Sequence, residues 1–169
     1  TLAVLDRIRV RFPAVRIVQS ESNLGFAGGN NAAASLVPDT DYILTVNPDA
    51  VLDRDCVGHL LEAAQSEPHC GAFGVTQLTP DRSRFDGLED CYNAFGIAWR
   101  SMHGRPVCAL GSDLRPILSP CAAVALYRRS AFDACGGFDE DFFCYLEDVD
   151  LGFRLQLASW HCLHVPDAR

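Results

Sequence analysis

Residues 136–154 read GGFDEDFFCYLEDVDLGFR and are the most informative stretch of the sequence for inferring the fold. It places six carboxylates among five large aromatic side chains. A ring beside a carboxylate excludes water, which is costly unless the carboxylate is paired, hydrogen-bonded or used in chemistry. The two glycines at its start predict the end of one helix, because glycine adopts the left-handed conformation that closes helices.

A second helix is predicted to begin near Asp148. Asp148 and Leu151 fall on one helical face, and Asp150 and Arg154 lie four residues apart, so these two can form an ion pair. Glu147 and Asp148 then lie at a helix N-terminus, where the backbone dipole favours negative charge. Capping alone accounts for acids at that position, so the pair by itself leaves a structural and a chemical role open.

The composition is that of a globular domain. The chain has 169 residues, of which 49% are hydrophobic and 21% charged, enough for one domain with a core. The formal net charge of −8 argues against a nucleic-acid surface, which requires clustered Lys and Arg. The eight cysteines are widely and irregularly spaced, so we expect reduced thiols in a cytoplasmic protein rather than disulfides or zinc.

A glycine-rich stretch, residues 23–31, reads NLGFAGGNN and precedes three alanines. Glycines allow the backbone to approach a ligand closely, and a helix that opens directly after such a loop presents free amides to anions. Asn side chains can bind ribose or phosphate, or cap a helix. The spacing fits neither the Walker motif nor the dinucleotide fingerprint, and a glycine-rich turn with Asn caps remains an alternative.

An apolar run at residues 42–46 predicts a buried parallel strand, and Asn47, Pro48 and Asp49 follow it directly. Open α/β sheets bind ligands beyond the carboxyl ends of their strands. A carboxylate there can hold Mg²⁺ or Mn²⁺, which completes its shell with water and substrate phosphates. Asn-Pro-Asp is also good turn chemistry, so a plain turn remains an alternative.

Helices and strands are expected along the rest of the chain. Helices are predicted at residues 2–11, from Asp53 onward and at 128–135, and strands at 15–18, 71–77, 117–127 and 160–165. Residues 79–116 carry irregular signals, and we assign no site residue there.

These motifs, in this order, resemble those of glycosyltransferase family 2, whose members are inverting enzymes with the GT-A fold. Residues 136–154 are most similar to the rhamnosyltransferase-like branch. The resemblance implies a single α/β domain over residues 1–169, a GT-A type, Rossmann-like, mostly parallel sheet flanked by helices. It also implies a fragment, N-terminally incomplete, because the family begins with a nucleotide-binding strand that precedes the part matched by this chain.

The resemblance also assigns roles to residues. Asp148 matches the catalytic base and Glu147 its catalytic neighbour, while Asp49 matches the metal ligand of a DxD variant often written NPD. The matched sugar-nucleotide-binding residues are Asn23, Gly25, Gly28, Gly29, Asn30, Asn31 and Asn47. Where the family usually has a Gly-Ala pair, this chain has Cys121 and Ala122 after a proline.

The function implied is transfer of a sugar, with rhamnose as the leading candidate, from a nucleoside-diphosphate sugar to an acceptor hydroxyl with Mg²⁺ or Mn²⁺. The acceptor implied is a saccharide or lipid-linked molecule in cell-surface polysaccharide or glycolipid synthesis. The implied place is the cytoplasm or the inner face of the membrane, with peripheral association through the acceptor and no nucleic-acid partner. A non-catalytic sugar-nucleotide- or partner-binding domain of the same fold is the alternative, and Asp148→Asn would leave its donor binding unchanged. A nucleotidyltransferase is a third interpretation, but the basic glycine-rich loop expected near its start is not found.

Overall fold

The computed structural model describes residues 2–108 and 110–169. Within them, all five helices lie towards the two ends of the chain, and short strands fill the middle. The elements are α1 (Leu2–Arg11), α2 (Gly25–Ser35), β1 (Tyr42–Val46), α3 (Cys56–Ser66), β2 (Cys70–Val75), β3 (Gln77–Leu78), β4 (Phe85–Gly87), β5 (Asp90–Tyr92), β6 (Ala98–Arg100), β7 (Arg115–Pro116), β8 (Val124–Arg128), α4 (Arg129–Ala134), α5 (Glu147–Leu157) and β9 (His161–Val165). A 3₁₀ turn, Glu140–Phe142, precedes α5.

The centre of the molecule is a five-stranded sheet in the order β1-β8-β2-β9-β7. β8 pairs antiparallel with β1 and β2, β9 pairs parallel with β2, and β7 pairs antiparallel with β9. The α/β class is confirmed. The expectation of a mostly parallel sheet is wrong, because three of the four strand pairs are antiparallel.

The path of the chain between β2 and β8 explains this difference. Residues 76–80, which follow β2, line the same cavity as Val124, the first residue of β8. The intervening hairpins β3–β4 and β5–β6 therefore return the chain to the edge at which β2 ends. A strand that enters from the edge where its neighbour ended runs antiparallel to it, whereas a parallel strand needs a crossover to the far edge.

The core lies on both faces of the sheet. One face packs against α2, α4 and α5 and is rich in aromatic rings: Tyr127, Phe132 and Phe138 meet edge to face at centroid distances of 5.4–5.7 Å. The other face packs Leu60 of α3 against Phe73 and neighbouring aliphatic residues. Because side chains alternate along a strand, consecutive residues of β2 and β8 supply opposite faces.

The predicted strand at residues 15–18 does not form. The segment is irregular, and Val15 and Val18 are exposed. A strand needs a partner for its backbone groups, and in the described part of the chain none pairs with this segment. The predicted helix at residues 2–11 is confirmed as α1, and all eight cysteines are free thiols.

Candidate active site

The ends of three strands meet at one edge of the sheet. β1, β2 and β9 run in one direction and end at Val46, Val75 and Val165, while β8 begins there at Val124. A cavity of about 710 Å³ opens at this edge. A crevice beyond the carboxyl ends of strands is where open α/β sheets bind ligands, so this is the candidate site.

The turn after β1 forms one wall of the cavity. Asn47 and Asp49 both line it, and Asp49 is exposed. The Asn47 N–H donates to the carbonyl of Ala123 at 2.8 Å, and the Ala50 N–H donates to the carbonyl of Asn47 at 3.0 Å. The turn is therefore held by backbone bonds alone, which leaves the Asp49 carboxylate facing the open space.

Asp148 lies in the first turn of α5, as its sequence context predicts. Its carboxylate accepts the N–H of Ala122 at 3.0 Å and that of Val149 at 2.9 Å, and its carbonyl accepts the Ser119 hydroxyl at 2.6 Å. Gly152 makes this approach possible, because a Cβ there would lie 2.5 Å from the Cβ of Ser119. The carboxylate is thereby held in one orientation.

Asp90 of β5 lies beside Asp148, in the stretch to which the sequence assigns no role. Neither acid is among the described residues that line the cavity, whereas the neighbouring Arg100 is. Its side chain is only 15% exposed, and its N–H donates to the carbonyl of Ser119 at 3.0 Å. One oxygen each of Asp90 and Asp148 and the Cys121 sulfur lie within 4.8 Å of one another. The hairpin and α5 thus bring two carboxylates together.

Arg100 completes this cluster from the strand opposite Asp90. Its guanidinium donates to Asp86 Oδ2 at 2.7 Å and to the Cys121 sulfur at 3.2 Å, and its Nε lies 4.0 Å from Asp90 Oδ1. Gly87 leaves room for this side chain, since a Cβ there would overlap Cγ and Cδ of Arg100. The guanidinium therefore brings a positive charge to the cluster formed by Asp90, Cys121 and Asp148.

The environment of Asp90 disfavours its charge. Burial and then the neighbouring Asp148 carboxylate raise the pKa of Asp90 to about 7, although Arg100 acts in the opposite direction. Burial and then Asp90 also raise the pKa of the Cys121 thiol to about 11, so that thiol is neutral at physiological pH. Asp90 therefore gains or loses its proton close to neutral pH.

A turn signal in the sequence points to this arrangement. Asn93 accepts backbone N–H groups through its side chain, and Gly96 has a positive φ of 83°, so the two close a hairpin between β5 and β6. A hairpin centred there sets Asp90 opposite Arg100. Its packing against α5, however, is a tertiary contact without a local signal.

Glu147, which precedes Asp148, is buried rather than open to the cavity. It is 5% exposed, and its Oε2 has no hydrogen-bond partner among the described residues. Burial raises the pKa of this carboxyl. Its assignment as a catalytic residue stays a prediction, and the structure places it at the first residue of α5.

The glycine-rich stretch is helical, so the expectation of a loop that precedes a helix is wrong. α2 begins at Gly25, and its N-terminal amides of Phe26 and Ala27 donate to the carbonyl of Phe143 at 2.7 and 3.3 Å. Gly25 has a positive φ of 70°, and a Cβ there would overlap Phe143. A carbonyl from the acidic stretch therefore occupies these anion-binding amides.

Asn31 holds the same two segments together, whereas Asn23 and Asn30 bond within the glycine-rich stretch. Asn31 donates to the carbonyl of Phe138 at 2.8 Å and accepts its N–H at 3.0 Å. The Asn30 side chain donates to the carbonyl of Phe26, and Asn23 accepts the N–H of Gly25. Within the described chain, the cavity lining includes Asn47 and Asp49 but no residue of α2, so binding by Gly28, Gly29 and the other α2 residues stays a prediction.

A family model described as "Glycosyltransferase like family 2" matches residues 1–169. The chain belongs to glycosyltransferase family 2. It is 30% identical, over 94% of its length, to the N-acetylglucosaminyl-diphospho-decaprenol L-rhamnosyltransferase of Mycobacterium tuberculosis. It is also 30% identical, over 84% of its length, to the rhamnosyltransferase WbbL of Escherichia coli. The chain spans 58% of the length of each of these two relatives.

Two solved structures share the fold. GalNAc-T7, crystallised with UDP, GalNAc and Mn²⁺, matches with a TM-score of 0.75 and 9% identity over 96% of this chain and 33% of its own. The mannosyltransferase PcManGT of Pyrobaculum calidifontis, in complex with GDP-Man and Mn²⁺, matches with a TM-score of 0.68 and 14% identity over 99% of this chain and 42% of its own. These matches confirm the GT-A type fold of this family 2 domain.

One further finding concerns the helices. None of those in the described parts of the chain combines the length and the apolar character that a membrane crossing requires.

Proposed function

We propose that this family 2 domain transfers a sugar, with inversion, from a nucleoside-diphosphate sugar to an acceptor hydroxyl, with Asp148 as the general base. The observation that carries the proposal is a pair of hydrogen bonds to two adjacent residues, Ala122 and Ala123, at the edge of the sheet. The Ala122 N–H binds the Asp148 carboxylate, and the carbonyl of the adjacent Ala123 binds the Asn47 N–H. The candidate base and the turn that carries the candidate metal ligand Asp49 are thus anchored to neighbouring residues.

The residues around Asp49 fit a hard divalent cation. An exposed carboxylate lines a cavity of about 710 Å³, with Gln77 as a further oxygen donor on its wall. Mg²⁺ and Mn²⁺ are commonly held by one or two carboxylates, while waters and substrate phosphates complete the shell. When bound, such an ion neutralises the charge that develops on a diphosphate leaving group.

Asp148 fits the proton transfer. As the acceptor oxygen bonds to the anomeric carbon, its O–H bond breaks and the proton passes to a carboxylate oxygen. The bond between the anomeric carbon and the diphosphate breaks in the same step, and its electron pair leaves with the phosphate oxygen. Backbone amides hold the Asp148 carboxylate in place, so little reorganisation is needed when the acceptor arrives.

Rhamnose and a polyprenyl-diphosphate-linked saccharide are the donor sugar and the acceptor class that we propose. The name of the M. tuberculosis relative contains both the sugar and this class of acceptor. The segment that leads into Asp148 supports an apolar acceptor, because it exposes four large apolar side chains: Phe142, Phe143, Tyr145 and Leu146, at 38–81%. With such an acceptor, we propose that the sugar transfer takes place at the inner face of a membrane.

A transfer assay with a panel of nucleoside-diphosphate sugars, Mn²⁺ and a polyprenyl-diphosphate saccharide tests this proposal. Asp148→Asn is expected to lower kcat by roughly 10²–10⁴-fold, the usual contribution of general base catalysis. Asp49→Ala is expected to abolish the stimulation by Mn²⁺. Asp39→Asn removes an exposed carboxylate and serves as the control.

Circular dichroism separates chemistry from folding in this assay. All three variants should keep the wild-type spectrum, because none of the three side chains lies in either core cluster. Folded wild-type protein that transfers no sugar from any donor would sink the proposal. Equal turnover in wild type and Asp148→Asn would remove Asp148 as the base.

A further inference from the structure

We propose that Asp90 is a positioning residue for the Asp148 base: the two carboxylates form a pair that holds one proton, and Asp90 thereby sets the pH range in which Asp148 accepts the acceptor's proton. This inference rests on the proposed function and adds a residue to it. It comes from four features of the site: a fixed separation, an oxygen without a partner, the surrounding charges and the direction of proton transfer.

Ser119 fixes the separation of the two acids. Its carbonyl accepts the Asp90 N–H at 3.0 Å, while its hydroxyl donates to the Asp148 carbonyl at 2.6 Å, and the residue is fully buried. A second contact secures the same two elements, since the rings of Tyr92 and Phe153 meet edge to face at 5.5 Å. The carboxylates therefore cannot separate to relieve their repulsion without moving β5 away from α5.

The hydrogen bonds at the pair are incomplete without a proton. Oδ2 of Asp90 is buried and has no hydrogen-bond partner in the described structure. Each oxygen of Asp148 accepts one backbone N–H, from Ala122 or Val149, and keeps a further lone pair. A proton on Asp90 allows its carboxyl to donate to Asp148, which satisfies the isolated oxygen and removes the repulsion of two buried charges.

The neighbouring groups do not neutralise the pair. Among the residues that the structure describes, Arg100 contributes the one positive charge that faces Asp90, but it is also bound to Asp86 at 2.7 Å, so two carboxylates share it. Cys121 is a neutral thiol. Two further groups face the cluster from β8 and α5: the Tyr127 hydroxyl, whose burial raises its pKa well above the ordinary value, and Glu147, whose pKa is also raised by burial. None of these adds a second positive charge.

The pair consequently changes from one negative charge to two as the pH passes through about 7, the pKa to which burial and Asp148 raise Asp90. With Asp90 ionised, no proton lies between the two carboxylates, and the Asp148 oxygen that faces Asp90 can take the acceptor's proton. With Asp90 protonated, the hydrogen bond from Asp90 occupies the oxygen that would take the proton. Transfer should therefore increase as Asp90 loses its proton.

The pH profile of kcat at saturating donor and acceptor tests this inference. For the wild-type enzyme we expect an ascending limb with its midpoint near 7. In Asp90→Asn the limb near pH 7 should be lost, because the carboxyl that titrates there is gone, and kcat above pH 7 should fall, because the amide that replaces it still donates to Asp148. Glu89→Gln removes a carboxylate from the neighbouring residue and should leave the midpoint unchanged.

A titration that needs no turnover separates this inference from the proposed function. In protein labelled with ¹³C at the Asp carboxyl, the resonance absent from Asp90→Asn belongs to Asp90, and it should titrate near pH 7. Asp148→Asn should lower that midpoint by about one unit or more. An Asp90 midpoint below 5, or one unchanged by Asp148→Asn, overturns the pair even if sugar is transferred. If no sugar is transferred while Asp90 titrates as expected, the pair stands and the proposed function fails.

Discussion

His164 is a buried histidine whose neutral form is built into the fold. Its Nδ1 lies 3.1 Å from Nη2 of Arg115, and its Nε2 lies 3.0 Å from the Thr76 hydroxyl, which donates to the carbonyl of Pro166. Because a guanidinium can only donate, Nδ1 accepts and Nε2 carries the hydrogen. A second proton has no acceptor here, so burial and Arg115 lower the pKa of His164 to about 4.

This shift predicts a loss of stability in acid that depends on His164. The unfolded chain gains a proton on this histidine near pH 6.5, while the folded chain gains it only near 4, so the contribution is present above 6.5 and lost as the pH falls to 4. Its size is roughly 3 kcal/mol, at about 1.4 kcal/mol per pH unit. Urea unfolding of wild type and His164→Gln at several pH values measures it.

The comparison between the two proteins, rather than the wild-type curve, isolates His164. Asp90 has a raised pKa, so its contribution is present at low pH and lost as the pH rises towards 7, opposite in sign over much of the same range. The stability difference between wild type and His164→Gln should shrink steadily from pH 7 to pH 4. A difference that stays constant over that range would show that His164 titrates alike in the folded and unfolded chains.

At the scale of elements, α5 carries the candidate base because its backbone lies against the segment before β8. Gly152 is buried in α5, and a Cβ there would meet the Ser119 side chain and the carbonyl of Leu118 at 2.5–2.8 Å. Ser119 in turn binds Asp148 through its hydroxyl. The position of the candidate base therefore depends on a glycine one turn along the helix.

Gly152→Ala tests this dependence. The added methyl group should destabilise the fold by about 1–3 kcal/mol, the usual effect of overpacking. It should also lower kcat by more than the loss of folded protein explains. The reason is that α5 must shift, which lengthens the hydrogen bonds from the backbone N–H groups to Asp148. Chemical denaturation and kcat at a temperature where both proteins are folded measure the two effects.

Gly58→Ala is the matched control, since Gly58 is also helical and a Cβ there meets no atom within 4 Å. Helix propensity then makes this variant more stable, by about 0.5–1 kcal/mol. Its kcat should equal that of the wild type. If Gly152→Ala behaved like Gly58→Ala, the close packing of α5 would play no part in placing Asp148.

At the scale of the whole molecule, local patterns predict the elements but not their arrangement. The start of α5 and the Asp150–Arg154 ion pair follow from residue spacing alone, and both form. The strand before Asn47 also follows from its apolar run. These features depend on neighbours within a few residues, which a single sequence displays directly.

Contacts between distant segments account for what sequence reasoning misses. α2 begins at Gly25 rather than after the glycines, because the Phe143 carbonyl caps its amides. β8 runs antiparallel because the hairpins return the chain to the same edge of the sheet. Asp90 meets Asp148 only because Ser119 binds both backbones. In each of these three cases the deciding contact comes from a segment that is distant in sequence, so the local residue pattern does not reveal it.

The cavity joins elements from across the molecule, so a ligand that fills it should stabilise the whole fold. Asp49, Thr76 and Val124 come from the ends of three different strands, and Arg169 closes the same wall. Binding to the folded state alone adds about 2.7 kcal/mol at a ligand concentration 100 times the dissociation constant. For a domain of this size, that corresponds to a rise in melting temperature of roughly 5–10 °C.

A thermal melt with Mn²⁺ and each nucleoside-diphosphate sugar measures this coupling without turnover. The donor that binds should raise the melting temperature of the wild type only when Mn²⁺ is present, and EDTA should reverse the rise. Asp49→Ala should lose the response, while Asp39→Asn should keep it, because Asp39 is exposed and absent from the cavity lining described above. A rise that survives in Asp49→Ala would mean that the donor binds without this carboxylate.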